Sequence, residues 1–277
     1  PAPERVVVWN ADISGEKTIV RVTQDDAVIA TRLVAPADLV RLSEPRPLAI
    51  GPRCLIIEYF FRGNDARAGR ISAPGYENEF KLTVHENRLE QPLLRKKPTT
   101  YFVNSMSDLF HEAVSDKFLD RVFSIIEATP HHTYQILTKR AERLPEYFAR
   151  RACPQNVWLG VSVEDKKYGV PRIDHLRKVD AHIRFLSVEP LLEDLGRINL
   201  SDIHWVIVGG ESGHKARPMR EEWVANVQVQ AEAAGAAFFF KQWGGWGADG
   251  VKRHKKANGR VFRGRTWDDY PEAAAQP

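Results

Sequence analysis

From Tyr101 to about Trp246, short unbroken apolar runs alternate with stretches whose apolar residues recur every three or four positions. A run of four to six apolar residues is too short for a helix and reads as a strand covered on both faces. Six such runs occur: "TTYFV", "TYQILT", "NVWLGVSV", "HIRFLSV", "HWVIVGG" and "AAFFFKQ". Between the first two, "DKFLDRVFSIIEA" puts Phe118, Leu119, Val122, Phe123 and Ile126 on one face, with Ser115 placed to cap the helix. Amphipathic helices are expected around Leu144–Phe148 and Ile173–Val179. Met219–Ala234 carries Trp223, Val227 and Ala231 on one face and meets Gly235 where a left-handed stop belongs. Strands alternating with helices predict a parallel α/β sheet, because each parallel return needs a crossover.

Every run gives way to polar residues at its C-terminal end. Asn104, Ser105, Ser107 and Asp108 follow the first, and Lys139 and Arg140 the second. Ser162 and Glu164 follow the third, Ser187 and Glu189 the fourth. The fifth ends in Gly209, Gly210, Glu211 and Ser212, the sixth in Lys241 and Gln242. Barrels and open α/β sheets collect their chemistry at this end, where strand ends and helix starts converge. Singly, each residue caps a helix or solvates a loop. Their recurrence at equivalent points of six strands makes them one candidate site. Its active groups are then Lys139, Glu164, Glu189 and Glu211, and its ligand-holding groups are Asn104, Ser105, Ser107, Asp108, Ser162, Ser187, Gly209, Gly210, Ser212, Lys241 and Gln242. "GGESG" has the form of a Gly-rich anion cradle, although such turns are common. Three glutamates also allow an acid–base pair of the glycoside-hydrolysing kind, if two stand about 5–10 Å apart.

The flanks differ in texture. Residues 1–79 carry short β-like runs such as "VVVW", "KTIVRV" and "CLIIEYFF", broken by proline, glycine and charge. Residues 80–246 form the α/β domain, and 247–277 a basic, partly flexible tail. The chain of 277 residues is 43 % apolar and 27 % charged, enough for one large core or two modest ones. No apolar stretch reaches the eighteen or so residues of a membrane helix and no leader is visible, so a soluble cytoplasmic protein is expected. The two cysteines, Cys54 and Cys153, are far apart and read as reduced thiols. A net charge of +4 permits a nucleic-acid partner without requiring one. "KRHKK" at 252–256 is either a contact for a phosphate backbone or a solvated surface. The neighbouring Trp243, Trp246, Phe262 and Trp267 either stack bases or fill a core. Phosphate-loop and nucleophile-elbow motifs are missing, and His131-His132 lacks a metal-spaced partner, so it reads as a surface turn.

"FVNSMSDLFHE", "QILTKR", "VWLGVSVED", "RFLSVEPLL", "WVIVGGESG" with "ARPM", and "FFFKQWG" together resemble the phage gp-thirty-seven/gp-sixty-eight family of uncharacterised proteins. The likeness runs in order from about Phe80 to about Tyr270. That family looks like a branch of the radical S-adenosylmethionine enzymes. The resemblance implies a partial TIM-like βα barrel of about six strands, S-adenosylmethionine and a [4Fe–4S] cluster. It also implies that the polar strand ends hold the methionine, ribose and adenine parts. Three thiolates from an early loop hold such a cluster, because soft sulfur suits that iron. Here the sequence departs from the family. Members carry a "WNP…GC…GC..CYAE" pattern, whereas this chain reads "VVVWNADISGEKT" and "GPRCLIIEYFFRG", leaving Cys54 as the only candidate metal thiolate near that loop. One thiolate cannot hold the cluster, so radical chemistry is not expected of this polypeptide. Two readings of residues 10 to 60 stay open. One is a scaffold that diverged and kept a binding role for nucleic acid or a protein partner. The other is a displaced reading frame, with family-like sequence resuming near Phe61.

Overall fold

A computed structural model describes the strands at 18–24, 27–34, 57–58 and 83–84, and then residues 88–103 and 107–271. The chain divides into two compact units, Pro1–Arg53 and Cys54–Pro277. In the first, β1 (Thr18–Gln24) and β2 (Ala27–Val34) pair antiparallel with a register shift between Val22 and Thr23. "VVVW" lies outside the described residues, and of "CLIIEYFF" only Ile57–Glu58 (β3) is described, paired antiparallel with Thr83–Val84 (β4). A single helical turn, α1 (Gln91–Leu94), leads into the main sheet.

That sheet holds β5 (Thr100–Val103), β6 (Thr133–Thr138), β7 (Val157–Ser162), β8 (Ile183–Val188), β9 (Trp205–Gly209) and β10 (Ala237–Gln242). Each strand pairs in parallel with its neighbours in sequence, in the unbroken order β10-β9-β8-β7-β6-β5. With right-handed crossovers, a sheet that never reverses its order receives its helices on one face and curls around the other. The result is a six-stranded parallel half-barrel. The helices are α2 (Asp116–Glu127), α3 (Arg143–Phe148), α4 (Pro171–Arg177) and α5 (Glu221–Ala233). Ser115 caps α2 by accepting from the Phe118 amide, and the five apolar residues expected on its buried face are all buried. Gly235, at φ +71°, ends α5, where the Ala236 amide turns back to the Ala231 carbonyl.

Alternation of helix and strand fails at one place. Between β8 and β9 residues 189–204 form no α-helix. Leu191, Leu195, Ile198 and Leu200 bury themselves along an irregular path. Helix α5 supplies the hydrogen bonds that this backbone lacks: Asn226 donates to Asp194, and Gln230 donates to the Gly196 carbonyl while accepting from the Ile198 amide. Two side-chain amides thereby do the work of a helix ladder.

Strand register sorts the sheet's side chains into two faces. The helix-side face carries Val103, Ile136, Leu159, Val161, Leu186, Val188, Val206, Val208, Phe238 and Phe240, all essentially inaccessible. The inner face rises in layers toward the strand C-termini. Phe102, Gln135, Trp158 and Ile183 lie in register, and the next layer is Leu137, Gly160, Phe185, Trp205 and Ala237. Gly160 leaves the space in which the Phe185 ring lies, since a Cβ there would stand 2.4 Å from it. Above them come Ser162, Ser187, Ile207 and Phe239.

Residues 247–271 do not hang free of the domain. The Phe240 amide donates to the Trp267 carbonyl, and the Trp205 indole to the Asp269 carbonyl. The Tyr270 ring lies 4.7 Å from that of Trp205. This segment covers the open edge of β10, as an edge strand requires. Trp243, Phe262 and Trp267 are core residues and Trp246 is half-buried, so packing, not an exposed stacking platform, accounts for the first three. Among the described residues no helix is long and apolar enough to cross a membrane.

Candidate functional site

The strand C-termini carry four ion-paired carboxylates, each held by a different local device. Asp108, 7 % exposed, anchors the β6 end. Its Oδ1 accepts from the Phe110 amide (3.0 Å) and the Thr138 hydroxyl (2.7 Å). Its Oδ2 accepts from the Lys139 amide (2.8 Å) and the Arg140 guanidinium (3.3 Å). Lys139, directed by that anchor, pairs through Nζ with Glu164 after β7. The other Glu164 oxygen takes Arg172 at 2.8 Å, and the same guanidinium donates to the Ser162 carbonyl. Glu189 after β8 pairs with Lys241 (2.7 Å) and accepts from Gln242 (3.2 Å), both on β10. Gln242 also donates to the Ser212 hydroxyl. These contacts join the β6 and β7 ends into one group and the β8, β9 and β10 ends into another, and the Leu192 amide on the Glu164 carbonyl (3.1 Å) links the two into a rim.

Glu211 faces Arg217, which grips it twice through the guanidinium (2.8 and 2.9 Å) and once through its amide. The guanidinium hydrogen bond is the main cause that holds the Glu211 carboxyl below the usual glutamate range. A carboxyl with a lowered folded-state pKa contributes stability above its unfolded value, near 4.5, and loses it as the pH falls through the folded one. The expected outcome is a Glu211→Gln variant whose urea midpoint falls short of the parent's at neutral pH, with the gap closing below pH 4.5. A gap that widened on acidification would contradict the pair. Partial exposure keeps the effect modest.

Asn104, Ser105 and Cys54 lie outside the described residues. Ser107 is half-buried at the β5 end, in the loop that carries Asp108. Gly209 and Gly210 are glycines for close packing. A Cβ on Gly209 would meet the Glu189 carboxylate at 3.0 Å, and one on Gly210 would lie 1.9 Å from the Trp243 carbonyl oxygen. His132, read from sequence as part of a surface turn, follows that turn with its ring buried and Nε2 on the Pro92 carbonyl, while His131 is exposed.

Ser162 and Ser187 stand apart from this paired chemistry. They are adjacent in register on the inner face, 3 % and 7 % exposed, and neither hydroxyl has a partner in the structure. Two layers below, Gln135 is 8 % exposed with an amide that is likewise unpartnered. None of these side-chain polar atoms is fully enclosed, so each opens to the concave face, where water or a ligand can bond it. Gln135 was missed in the sequence although its signal is there: one amide inside the apolar run "TYQILT". Arg172 and Arg217 had no such signal, because only the folded loops bring them to Glu164 and Glu211.

The cluster implied by the sequence resemblance is tested by the thiols. Of the two cysteines, Cys153 is buried before β7, at the strand end opposite the rim, and burial pushes its thiol up to about 12. With two cysteines in the chain, three thiolates cannot be assembled. Among the described residues no group of three His, Cys, Asp or Glu side chains is placed to hold a metal ion. This chain's residues do not fit a three-thiolate cluster.

Fold and rim together define an α/β half-barrel protein with a polar, ion-paired mouth at the strand C-termini. A family model described as a protein of unknown function (DUF5131) matches residues 56–271, most of the chain, and the chain belongs to that family. No curated protein and no solved structure matches it.

Proposed function

We propose that this protein is a binding half-barrel of the radical S-adenosylmethionine architectural type that receives a nucleoside-bearing small molecule at its inner face. It does so without performing cluster-dependent chemistry on its own thiols. The observation that carries this reading is a set of inner-face polar groups without protein partners: Ser162 and Ser187, adjacent in register, and two layers below them Gln135, in register with Phe102 and Trp158. A nucleoside offers what those groups lack: a flat ring for the aromatic layer, a base edge for the amide, and ribose hydroxyls for the serines. The sequence resemblance to S-adenosylmethionine enzymes points to the same ligand class. Lys139, Glu164, Glu189 and Lys241 then serve as a charged collar that fixes the strand ends.

Titration of the full chain with adenosine 5′-monophosphate and with S-adenosylmethionine tests this by tryptophan fluorescence and calorimetry. Saturable binding is expected for at least one. The Ser162→Ala/Ser187→Ala double variant should bind about tenfold more weakly, the equivalent of one to two modest hydrogen bonds. Its thermal stability should be unchanged or slightly higher, because these hydroxyls have no partner to lose. Binding unaffected by the double variant would remove the reading. Anaerobic incubation with iron and sulfide should leave no stoichiometric iron and no visible cluster absorption on the protein.

Acid–base hydrolysis by Glu164, Glu189 and Glu211 finds less support. A general acid needs a carboxyl that keeps its proton at neutral pH. Glu164 is held between Lys139 and Arg172, Glu189 faces Lys241, and Arg217 lowers Glu211.

A further inference from the structure

We propose that the nucleoside is presented to the inner face by a single-stranded nucleic acid whose phosphates lie along a basic lip beside the rim. This rests on the nucleoside reading above and names the macromolecule that carries the ligand. Two loops build the lip. One follows β9 (residues 211–217) and the other follows β10 (residues 249–256). Together they hold Lys215, Arg217, Lys252, Arg253, Lys255 and Lys256 against only Glu211 and Asp249. Lys215, Lys252 and Lys256 are exposed.

These loops are locked to each other and to the rim. The Gly245 amide donates to the Glu211 carbonyl, the Arg253 amide to the Gly245 carbonyl, and the Trp246 indole to the Ala216 carbonyl. The Lys252 ammonium reaches the His214 carbonyl and lies over the Trp246 ring. The Gln242 side chain, shared between Ser212 and Glu189, connects the lip to the β8 end. The positive surface is therefore a fixed feature of the site's border. Beyond it, a cleft of about 640 Å³ opens between Pro218–Glu222 and Trp246–Gly250. Its walls mix Glu221, Glu222 and Asp249 with Arg220 and Arg263, whereas the exposed lysines of the lip carry one sign of charge.

A strand of phosphates matches this geometry where a lone nucleotide does not. The lip spreads several exposed cations across two loops, and a polyanion gains by releasing counterions along that length. A base must also leave its stack to enter the inner face. That transfer is cheapest from single-stranded substrate.

The test is fluorescence anisotropy of the full chain with a labelled mixed-sequence twelve-nucleotide single strand, its blunt duplex, and polyglutamate of matched charge, at several salt concentrations. The expected result is binding of the single strand over the duplex. Its salt slope should fall by about two, roughly 0.7 per lost phosphate contact, in Lys215→Gln/Lys252→Gln/Lys256→Gln. The same variant should keep the nucleotide response of the parent. Nucleotide binding without oligonucleotide binding leaves the nucleoside site standing and overturns the lip. Oligonucleotide binding untouched by the triple variant, equal binding of duplex, or equal binding of polyglutamate overturns it too. Failure of both ligands removes the nucleoside reading as well.

Discussion

Asp108→Ala is expected to lower the unfolding free energy by about 3–5 kcal/mol, measured by urea titration at neutral pH. The side chain is almost fully buried, and its two oxygens accept four hydrogen bonds from two separate places on the chain, Phe110 and Thr138–Arg140. Truncation leaves the Phe110 and Lys139 amides, the Thr138 hydroxyl and part of the Arg140 guanidinium without an acceptor. Each orphaned donor costs roughly 1–3 kcal/mol, and neighbouring losses do not add fully. Asp108→Asn, which keeps one acceptor oxygen, should lose clearly less. The effect reaches the site because Asp108 holds the backbone amide of Lys139, whose ammonium pairs with Glu164. Nucleotide affinity should therefore fall in any Asp108→Ala protein that remains folded. A stability loss under about 1 kcal/mol would show that water replaces the carboxylate freely.

The elements legible in the sequence are those whose signal is local. Ser115, the buried face of α2 and Gly235 are each decided by residues within one or two turns, and each is found where the pattern put it. The six apolar runs are strands because both sheet faces are covered: the outer by helices, and the inner by the aromatic packing of Trp158, Phe185, Trp205, Phe239 and Tyr270. Leucines at 191, 195 and 200 resemble part of a helical stripe, yet the β8–β9 connection is irregular. Pro190, the turn at Gly196 and side chains borrowed from α5 settle it, and the last of these is a long-range fact.

The polar strand ends were legible as a ring, but their chemistry was not. A glutamate after a strand looks the same in the sequence whether it is a base, a ligand or half of an ion pair. Arg172 lies eight residues beyond Glu164, and Arg217 six beyond Glu211, on loops whose course is set by tertiary packing. Conversely, Ser162, Ser187 and Gln135 are unremarkable in a strand until register places them on the inner face. The family match spans residues 56–271 and leaves both readings of residues 10 to 60 open. Translating the underlying nucleotides in all three frames separates divergence from a displaced frame: an in-register three-cysteine motif in another frame establishes the latter.

Gly210→Ala should be the most damaging single-methyl change in the rim, costing about 3 kcal/mol. The added carbon would sit 1.9 Å from the Trp243 carbonyl oxygen and 2.7 Å from its carbon, both backbone atoms with no side-chain freedom to move aside. Gly244, at φ +81°, packs back against Gly210 from the other strand, with the Glu211 carbonyl 2.3 Å from where its own Cβ would lie. The two post-strand loops are joined there by the Gly210 amide on the Gln242 carbonyl (2.9 Å) and the Gly245 amide on the Glu211 carbonyl (2.7 Å). Pushing them apart breaks these bonds and separates the basic lip from the rim, so oligonucleotide affinity should fall with stability. Gly213→Ala is the matched control. It lies three residues away at φ +109°, with no atom within 4 Å of an added Cβ, and costs only backbone strain, about 1 kcal/mol. Equal losses in the two variants would mean that φ, and not the contact with Trp243, dictates glycine at position 210.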